Sequence, residues 1–511
     1  MILKKLVSAV ALTGSAIVIA RSVFKLPKTQ GRVNTIALPK AMSGPLAEAL
    51  IDLEAEHKGL TGVTPLQNSA DAFAVRILLA DAAVTSIDAQ YYMWHADMTG
   101  TLLLGALVRA ADRGVRVRLL LDDNGTNGLD ADMAALVAHP NIEVRLYNPF
   151  NLRTLKTLSY AFDFFRLNRR MHNKSFTVDG RATILGGRNV GDEYFGTGST
   201  PLFVDLDVLA AGTIVAEVVA DFDRYWASLS SYPAQAIVGV NKDTDPIGER
   251  LANFRADPQM GKYKAILEDS NTVSALIKGE LNLEWTTTLL VSDDPAKGQG
   301  AVPKEDLLVH RLKEAVGDIQ TRFDGISAYL VPGTTGVKTF ADLQARGVTV
   351  RMLTNSMEAT DVLPVHAGYA KYRKKMLKSG VTLFELREKV APCAAASRLG
   401  LLGSTGASLH TKTFAVDGQR IFVGSFNFDP RSTKLNTELG LLIDSEQMAQ
   451  QLHTVFDEGM VGLTWRVKLS GNKLVWIDAN TGLITTSEPG SSVMRSFILA
   501  VVKRLPVEWL L

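Results

Sequence analysis

Residues 172–189 read HNKSFTVDGRATILGGRN, and residues 410–427 read HTKTFAVDGQRIFVGSFN. Each carries His-x-Lys-x4-Asp, then six residues, then Gly-Gly/Ser-x-Asn. One such motif arises by accident roughly a few times in a hundred chains of this length; two with the same tail do not. His172 and His410 are 238 positions apart. In each copy the His and Lys share one face of a strand, because alternate residues do. Val178-Asp179-Gly180 and Val416-Asp417-Gly418 are turn sequences ending that strand. A second strand runs back over 182–185 and 420–423, ending in small residues before Asn189 and Asn427. An imidazole, an ammonium and an amide therefore meet at one rim. A neutral imidazole is a nucleophile or base, and Lys and Asn supply donors for phosphate oxygens.

The repeat extends beyond the motifs. Residues 105–121 (GALVRAADRGVRVRLLL) and 338–354 (KTFADLQARGVTVRMLT) each pass from helical spacing through Arg-Gly-Val into an apolar strand. Gly114 and Gly347 are helix-ending glycines, 233 positions apart. Preceding runs at 86–94 and 325–331 are rich in strand formers, so each copy predicts a βαβ unit with parallel strands. The predicted fold class is α/β: two duplicated lobes packed around a pseudo-two-fold axis, with the active site between them. The boundaries are a signal peptide or membrane anchor over 1–24, a first lobe over 45–240, a connection over 241–300, a second lobe over 301–460 and an extension over 461–511.

Each histidine needs a carboxylate for its second ring nitrogen. Asp205-Leu-Asp-Val-Leu and Glu438-Leu-Gly-Leu-Leu each place one at the head of an apolar strand. The expected pairings are Asp205 with His172 and Glu438 with His410, with Asp207 as the substitute for Asp205. The remaining histidines, including His95, His310 and His366, are expected to be structural. Arg169-Arg170, Trp94-His95 and Arg431-Ser432 flank the expected cleft, either as headgroup or phosphate contacts or as rim residues.

Composition narrows the classes. Fifty-five Lys and Arg against 53 Asp and Glu give a net charge of +2, so bulk charge gives no reason to expect a nucleic-acid partner. The single cysteine, Cys393, excludes an internal disulfide framework and any multi-cysteine zinc site. A mean hydropathy of +0.09 hints at a membrane contact. Lys4 and Lys5 precede a short apolar run to Ala20, the layout of a signal peptide or uncleaved anchor. At the other end, Val493, Phe497, Val501 and Arg504 follow helical spacing, with Trp509 beyond, as in an interfacial helix or a tail packed on the protein's own core. No G-x-S-x-G, Walker or H-E-x-x-H signature is present.

The paired motifs, His172-Lys174-Asp179 and His410-Lys412-Asp417, resemble those of the phospholipase D superfamily. AQYYMWHADMTG (89–100), RRMHNKSFTVDG (169–180), GGRNVGDEYF (186–195), VDLDVLAAG (204–212), SFNFDPRSTKLNTELGLLI (425–443) and the terminal LPVEWLL resemble bacterial cardiolipin synthases of the C type. The resemblance implies a metal-free, cofactor-free transfer through a phosphohistidine. His172 would be the nucleophile and His410 the acid/base; Lys174, Lys412, Asn189 and Asn427 would hold phosphoryl oxygens; Asp179 and Asp417 would pin their turns. It implies a phospholipid substrate, phosphatidylglycerol with phosphatidylethanolamine as a second candidate, and a place at the bacterial cell membrane, or in the periplasm or outside if a leader is cleaved. Hydrolysis of phospholipids, or secondarily of nucleic acid, by the same machinery is the alternative function, with a non-catalytic membrane scaffold as a third.

Overall fold

The two Asp-Gly pairs fix the geometry on which the site is built. In the computed structural model, which describes residues 14–28, 32–196, 202–388, 407–458, 460–505 and 508–510, Asp179 and Gly180 have φ of 56° and 61°, and Asp417 and Gly418 have 54° and 68°. Two consecutive positive φ angles make the tight hairpin turn that matches strand twist, and Asp-Gly is suited to it. The hairpins are Ser175–Val178 with Ala182–Gly186 and Lys412–Val416 with Arg420–Gly424.

Each hairpin lies at the centre of a mixed sheet. In the first, the strand order is Glu284–Thr286, Thr61–Leu66, Asp207–Gly212, Ala182–Gly186, Ser175–Val178, Ser86–Met93, Arg116–Gly125, Ile142–Tyr147 and Ser231–Pro233. The second begins Thr288–Ser292, Leu439–Ile443, Arg420–Gly424, Lys412–Val416, Arg322–Ser327, Thr349–Asn355 and Thr382–Leu386. The six strands from Asp207–Gly212 to Ile142–Tyr147 correspond in order to the six from Leu439–Ile443 to Thr382–Leu386. The βαβ units are parallel as expected: Ser86–Met93 with Arg116–Gly125, and Arg322–Ser327 with Thr349–Asn355. Their crossover helices, Met98–Asp112 and Gly333–Ala345, end before Gly114 (φ 94°) and Gly347 (φ 86°).

Two boundaries differ from the sequence reading. The stretch 241–300 is more than a connection. Its helices Pro246–Phe254, Gln259–Asp269 and Thr272–Ile277 pack on the first lobe. The chain then gives one edge strand to each sheet, Glu284–Thr286 and Thr288–Ser292. The second sheet also continues past residue 460 through Thr464–Ser470, Lys473–Asp478 and Ile484–Thr485, where Trp465, Val467 and Trp476 are buried. Alternation in these short, half-exposed strands is too weak to mark them as sheet.

The lobes share a core. Leu185, Val208, Ala210, Ile214 and Val218 of the first pack with Ile421, Val423, Leu439 and Leu441 of the second. Burying each larger aliphatic side chain contributes about 1.5–3 kcal/mol, so this surface holds the lobes as one body.

At the N-terminus the described part of the segment read as leader or anchor is a helix at 14–23; residues 1–13 lie outside the described residues. Arg21 donates to the Phe162 carbonyl at 2.6 Å, and the Phe24 and Phe162 rings lie 5.9 Å apart. No described helix is long and apolar enough to cross a membrane.

Candidate active site

Backbone exchange between the lobes assembles the site. Leu202–Val204 pairs in parallel with Ala407–Leu409, and the His410 amide donates to the Val204 carbonyl at 2.8 Å. The mirror arrangement joins Met171 to Thr437, and the His172 amide donates to the Thr437 carbonyl at 2.9 Å. Val204 and Thr437 immediately precede Asp205 and Glu438. Each carboxylate is therefore delivered to the histidine of the opposite lobe.

The expected pairing is thus corrected. Nδ1 of His172 lies 2.8 Å from Oε2 of Glu438, and Nδ1 of His410 lies 2.5 Å from Oδ2 of Asp205. Position along the chain suggested same-lobe partners, but the strand exchange lies outside any local pattern. Asp207 is not a substitute either: it is buried in an ion pair with Arg76 at 2.7 Å.

The carboxylates differ in their surroundings. A Cβ on Gly187 would meet Oδ1 of Asp205 at 2.2 Å, so glycine is required for that close approach. At the equivalent place Ser425 donates its hydroxyl to Oε2 of Glu438 at 2.5 Å. The Glu438 amide donates to Asp293, which also takes a 2.8 Å contact from the Lys297 ammonium. Burial, only partly offset by Lys174 and Ser425, pushes the Glu438 carboxyl up to about 7. Burial also acts on Asp205, but His410 and Lys412 outweigh it and hold that carboxyl below its usual range.

Both imidazoles are nearly enclosed, His172 7% exposed and His410 6%. Burial lowers His172 well below its ordinary value, and Lys174, Lys412 and Arg431 add to this. His410 is lowered to about 4 by burial and Lys412, against the opposing pull of Asp205. Lys174 is pushed well down by burial and by Lys412 of the other lobe. The two inter-lobe bridges and the crossed carboxylates bring both motifs to the lobe interface. The Lys174 ammonium donates to the His172 carbonyl at 2.6 Å and stands 5.4 Å from the Tyr92 ring centroid. The Lys412 ammonium contacts the His410 carbonyl and lies 3.0 Å from its Nδ1. Rings brace the histidines: Tyr92 stands edge-on to His172 at 5.1 Å, Tyr194 edge-on to His410 at 5.1 Å, and Phe203 stacks on His410 at 5.5 Å. Two lysine ammonium groups beside two neutral imidazoles suit a phosphodiester anion.

The other expected residues divide. Asp179 accepts from the Val84, Thr85 and Ser86 amides, and Asp417 from those of Gln320, Thr321 and Arg322. Both sit at the far end of their strands and lock the turn to the neighbouring strand. Asn189 accepts from the Met93 amide at 3.1 Å and donates to the Tyr194 hydroxyl at 2.8 Å, leaving one amide hydrogen. Asn427 accepts from the Tyr329 amide at 3.4 Å. Arg170 is buried against Asp122 at 2.5 Å and is structural, whereas Arg431 bridges to Asn168 of the first lobe at 2.9 Å. Sequence reasoning missed Tyr92, Tyr194, Phe203 and Asp293; the run of aromatics beside Trp94 was the available signal for the first.

Two motif-bearing lobes, crossed histidine–carboxylate pairs and paired lysines define a phospholipase D-type phosphotransfer site. The chain belongs to the cardiolipin synthase, PLD-like domain family, whose model matches residues 77–226 and 308–460. It is 47% identical to cardiolipin synthase C of Escherichia coli (strain K12) over 471 residues, 91% of this chain and 99% of that one. It is 25% identical to cardiolipin synthase A of Pseudomonas entomophila over 386 residues, 74% of this chain and 65% of that one. The phosphatidylserine synthase structure from Haemophilus influenzae superposes with a TM-score of 0.57 at 16% identity, covering 91% of this chain and 100% of that one, a likeness of fold.

Proposed function

We propose that this chain is a membrane-associated phosphatidyltransferase that makes cardiolipin from phosphatidylglycerol, with phosphatidylethanolamine as a second candidate substrate. The observation that carries it is the crossed His172–Glu438 and His410–Asp205 arrangement in a chain of this family.

The unlike carboxylates favour a division of labour. Ionised Glu438 accepts a hydrogen bond from Nδ1–H of neutral His172, which leaves Nε2 as a lone-pair nucleophile. Nε2 attacks phosphorus, forming a P–N bond as the P–O bond to the headgroup alcohol breaks. His410 gives its Nε2 proton to the departing oxygen, and Asp205, held as an anion, stabilises the imidazolium before transfer. Lys174 and Lys412 face the non-bridging oxygens. The second step reverses the roles: His410 takes the proton of an incoming lipid hydroxyl, whose oxygen forms the new P–O bond as the P–N bond breaks. With both imidazoles depressed in the free protein, the negative charge of the bound phosphodiester favours uptake of a solvent proton by His410.

Exposed apolar side chains support membrane association. The helix Val493–Val502 leaves Val493, Met494, Phe497 and Val501 exposed, with Lys503 and Arg504 exposed just beyond; Val18, Ile19, Val23 and Phe24 are exposed at the other end of the chain. This is the pattern of an interfacial helix. The Trp509 side chain lies outside the described ones.

Purified protein given phosphatidylglycerol vesicles, with and without phosphatidylethanolamine, tests the reading. Cardiolipin with released alcohol supports it; phosphatidic acid alone assigns a hydrolase instead.

A further inference from the structure

The pseudo-two-fold axis is broken at one pair of residues beside the chemistry. Asn189 and Asn427 are equivalent: each accepts from a backbone amide at or just past the end of the strand leading into the crossover helix, at Met93 and Tyr329. The next residues, Val190 and Phe428, make matching bridges to Trp94 and Leu330. Short helices then begin at Asp192 and Pro430. In this register Glu193 stands where the other lobe has Arg431. The backbone repeats while the charge reverses.

The two residues serve different histidines. Arg431 depresses His172 and is tied to Asn168, with one guanidinium nitrogen 3.3 Å from the Leu510 carbonyl. Glu193 immediately precedes Tyr194, whose ring is edge-on to His410 at 5.1 Å, and its carboxylate feels the His410 charge. Glu193 is braced by His95, whose Nδ1 lies 3.1 Å from Oε1; the two side chains are 15% and 36% exposed. Gly191 makes the pairing possible, since a Cβ there would meet Oε2 of Glu193 at 2.8 Å and Nδ1 of His95 at 3.0 Å. From the second lobe, Asp361 accepts from the Tyr329 hydroxyl at 2.8 Å and is felt by Tyr194 and Lys412. The His410 side is thus rich in carboxylate acceptors, and the His172 side carries a guanidinium.

We propose that Glu193, braced by His95, is a specificity-determining residue that receives the alcohol portion of each substrate through the hydroxyl or ammonium donors it carries. This rests on the reading of His410 as acid/base. In-line displacement puts both the leaving and the incoming oxygen on the side opposite the nucleophile, hence on the side of His410. An alcohol there presents hydrogen-bond donors, and an ionised carboxylate is the strongest acceptor available.

The test separates alcohol binding from chemistry. Soluble isotope-labelled glycerol and ethanolamine serve as acceptors with phosphatidylglycerol vesicles as donor, and a phosphatidyl p-nitrophenyl ester reports formation of the covalent intermediate, because its leaving group offers no donors. For Glu193→Gln we expect KM for the acceptor to rise about tenfold, the scale of one lost charge-assisted hydrogen bond, with the p-nitrophenol burst preserved. Glu193→Asp should recover part of the loss. A larger rise for ethanolamine identifies an ammonium as the recognised group, and equal rises identify a hydroxyl. An unchanged acceptor KM, or a burst that falls in parallel with it, overturns the proposal. A wild-type protein with no burst overturns the phosphohistidine reading, and this site with it.

Discussion

Glu438 of the second lobe lies 2.8 Å from the ring nitrogen of His172 in the first, while Asp205 lies 2.5 Å from His410 in the opposite direction. Neither motif histidine takes its carboxylate from its own lobe. The crossing follows from the backbone exchange at Val204 and Thr437 and makes the lobe interface part of the chemistry.

The first prediction concerns pH. Burial raises Glu438 to about 7. Below that value the carboxyl holds its proton, donates to Nδ1 and forces the His172 proton onto Nε2, which removes the nucleophile. Above it the carboxylate accepts from Nδ1 and Nε2 is free. Formation of the covalent intermediate should rise with pH through a midpoint near 7. Glu438→Gln should lower the rate by about 10²-fold or more and flatten this limb. Stopped-flow burst rates between pH 5 and 9 measure both.

Asp205→Asn should act on the other half of the reaction. An amide cannot stabilise an imidazolium as the anion does. Substrates with poor leaving groups should lose about 10²-fold in rate, while an aryl ester leaving group should lose far less. A leaving-group series gives the comparison.

How far was this legible? The hairpins were, because Val-Asp-Gly with flanking alternation specifies both strand and turn. So were the Arg-Gly helix ends and the duplication. The motif residues were identified together, and Asp205 and Glu438 were picked out as orienting acids. Their partners were assigned to the wrong lobes, because a parallel exchange such as Leu202–Val204 with Ala407–Leu409 is a long-range contact without local periodicity. The edge strand Glu284–Thr286 lies unmarked inside the predicted 241–300 connection because three residues carry no pattern.

His410 should titrate low in the free protein and high with anion bound. Burial and Lys412 lower it to about 4, so its imidazole is neutral at pH 7. A bound phosphate or vanadate anion stabilises the protonated form and should raise its midpoint by about one unit or more. Imidazole NMR titration with and without vanadate follows the change directly.

Asp179→Ala should unfold the protein more easily without entering the chemistry. It removes an acceptor for the Val84, Thr85 and Ser86 amides and places alanine at φ 56°. The expected loss is about 1–3 kcal/mol in urea unfolding, with Asp179→Asn milder because asparagine tolerates that φ. The p-nitrophenol burst per folded molecule should stay close to wild type.

Chelation should leave the reaction intact, since the nucleophile, the acid and the charge stabilisation are all assigned to side chains. Turnover of phosphatidylglycerol before and after EDTA treatment checks this; strong inhibition would require a metal in the mechanism.

The most direct measurement is the position of the covalent intermediate. The enzyme is quenched during turnover of phosphatidylglycerol, digested, and the modified histidine mapped by mass spectrometry. The phosphatidyl group is expected on His172, absent in His172→Ala and still formed from an aryl ester donor in His410→Ala. A group on His410, or none on either histidine during active turnover, would contradict that assignment.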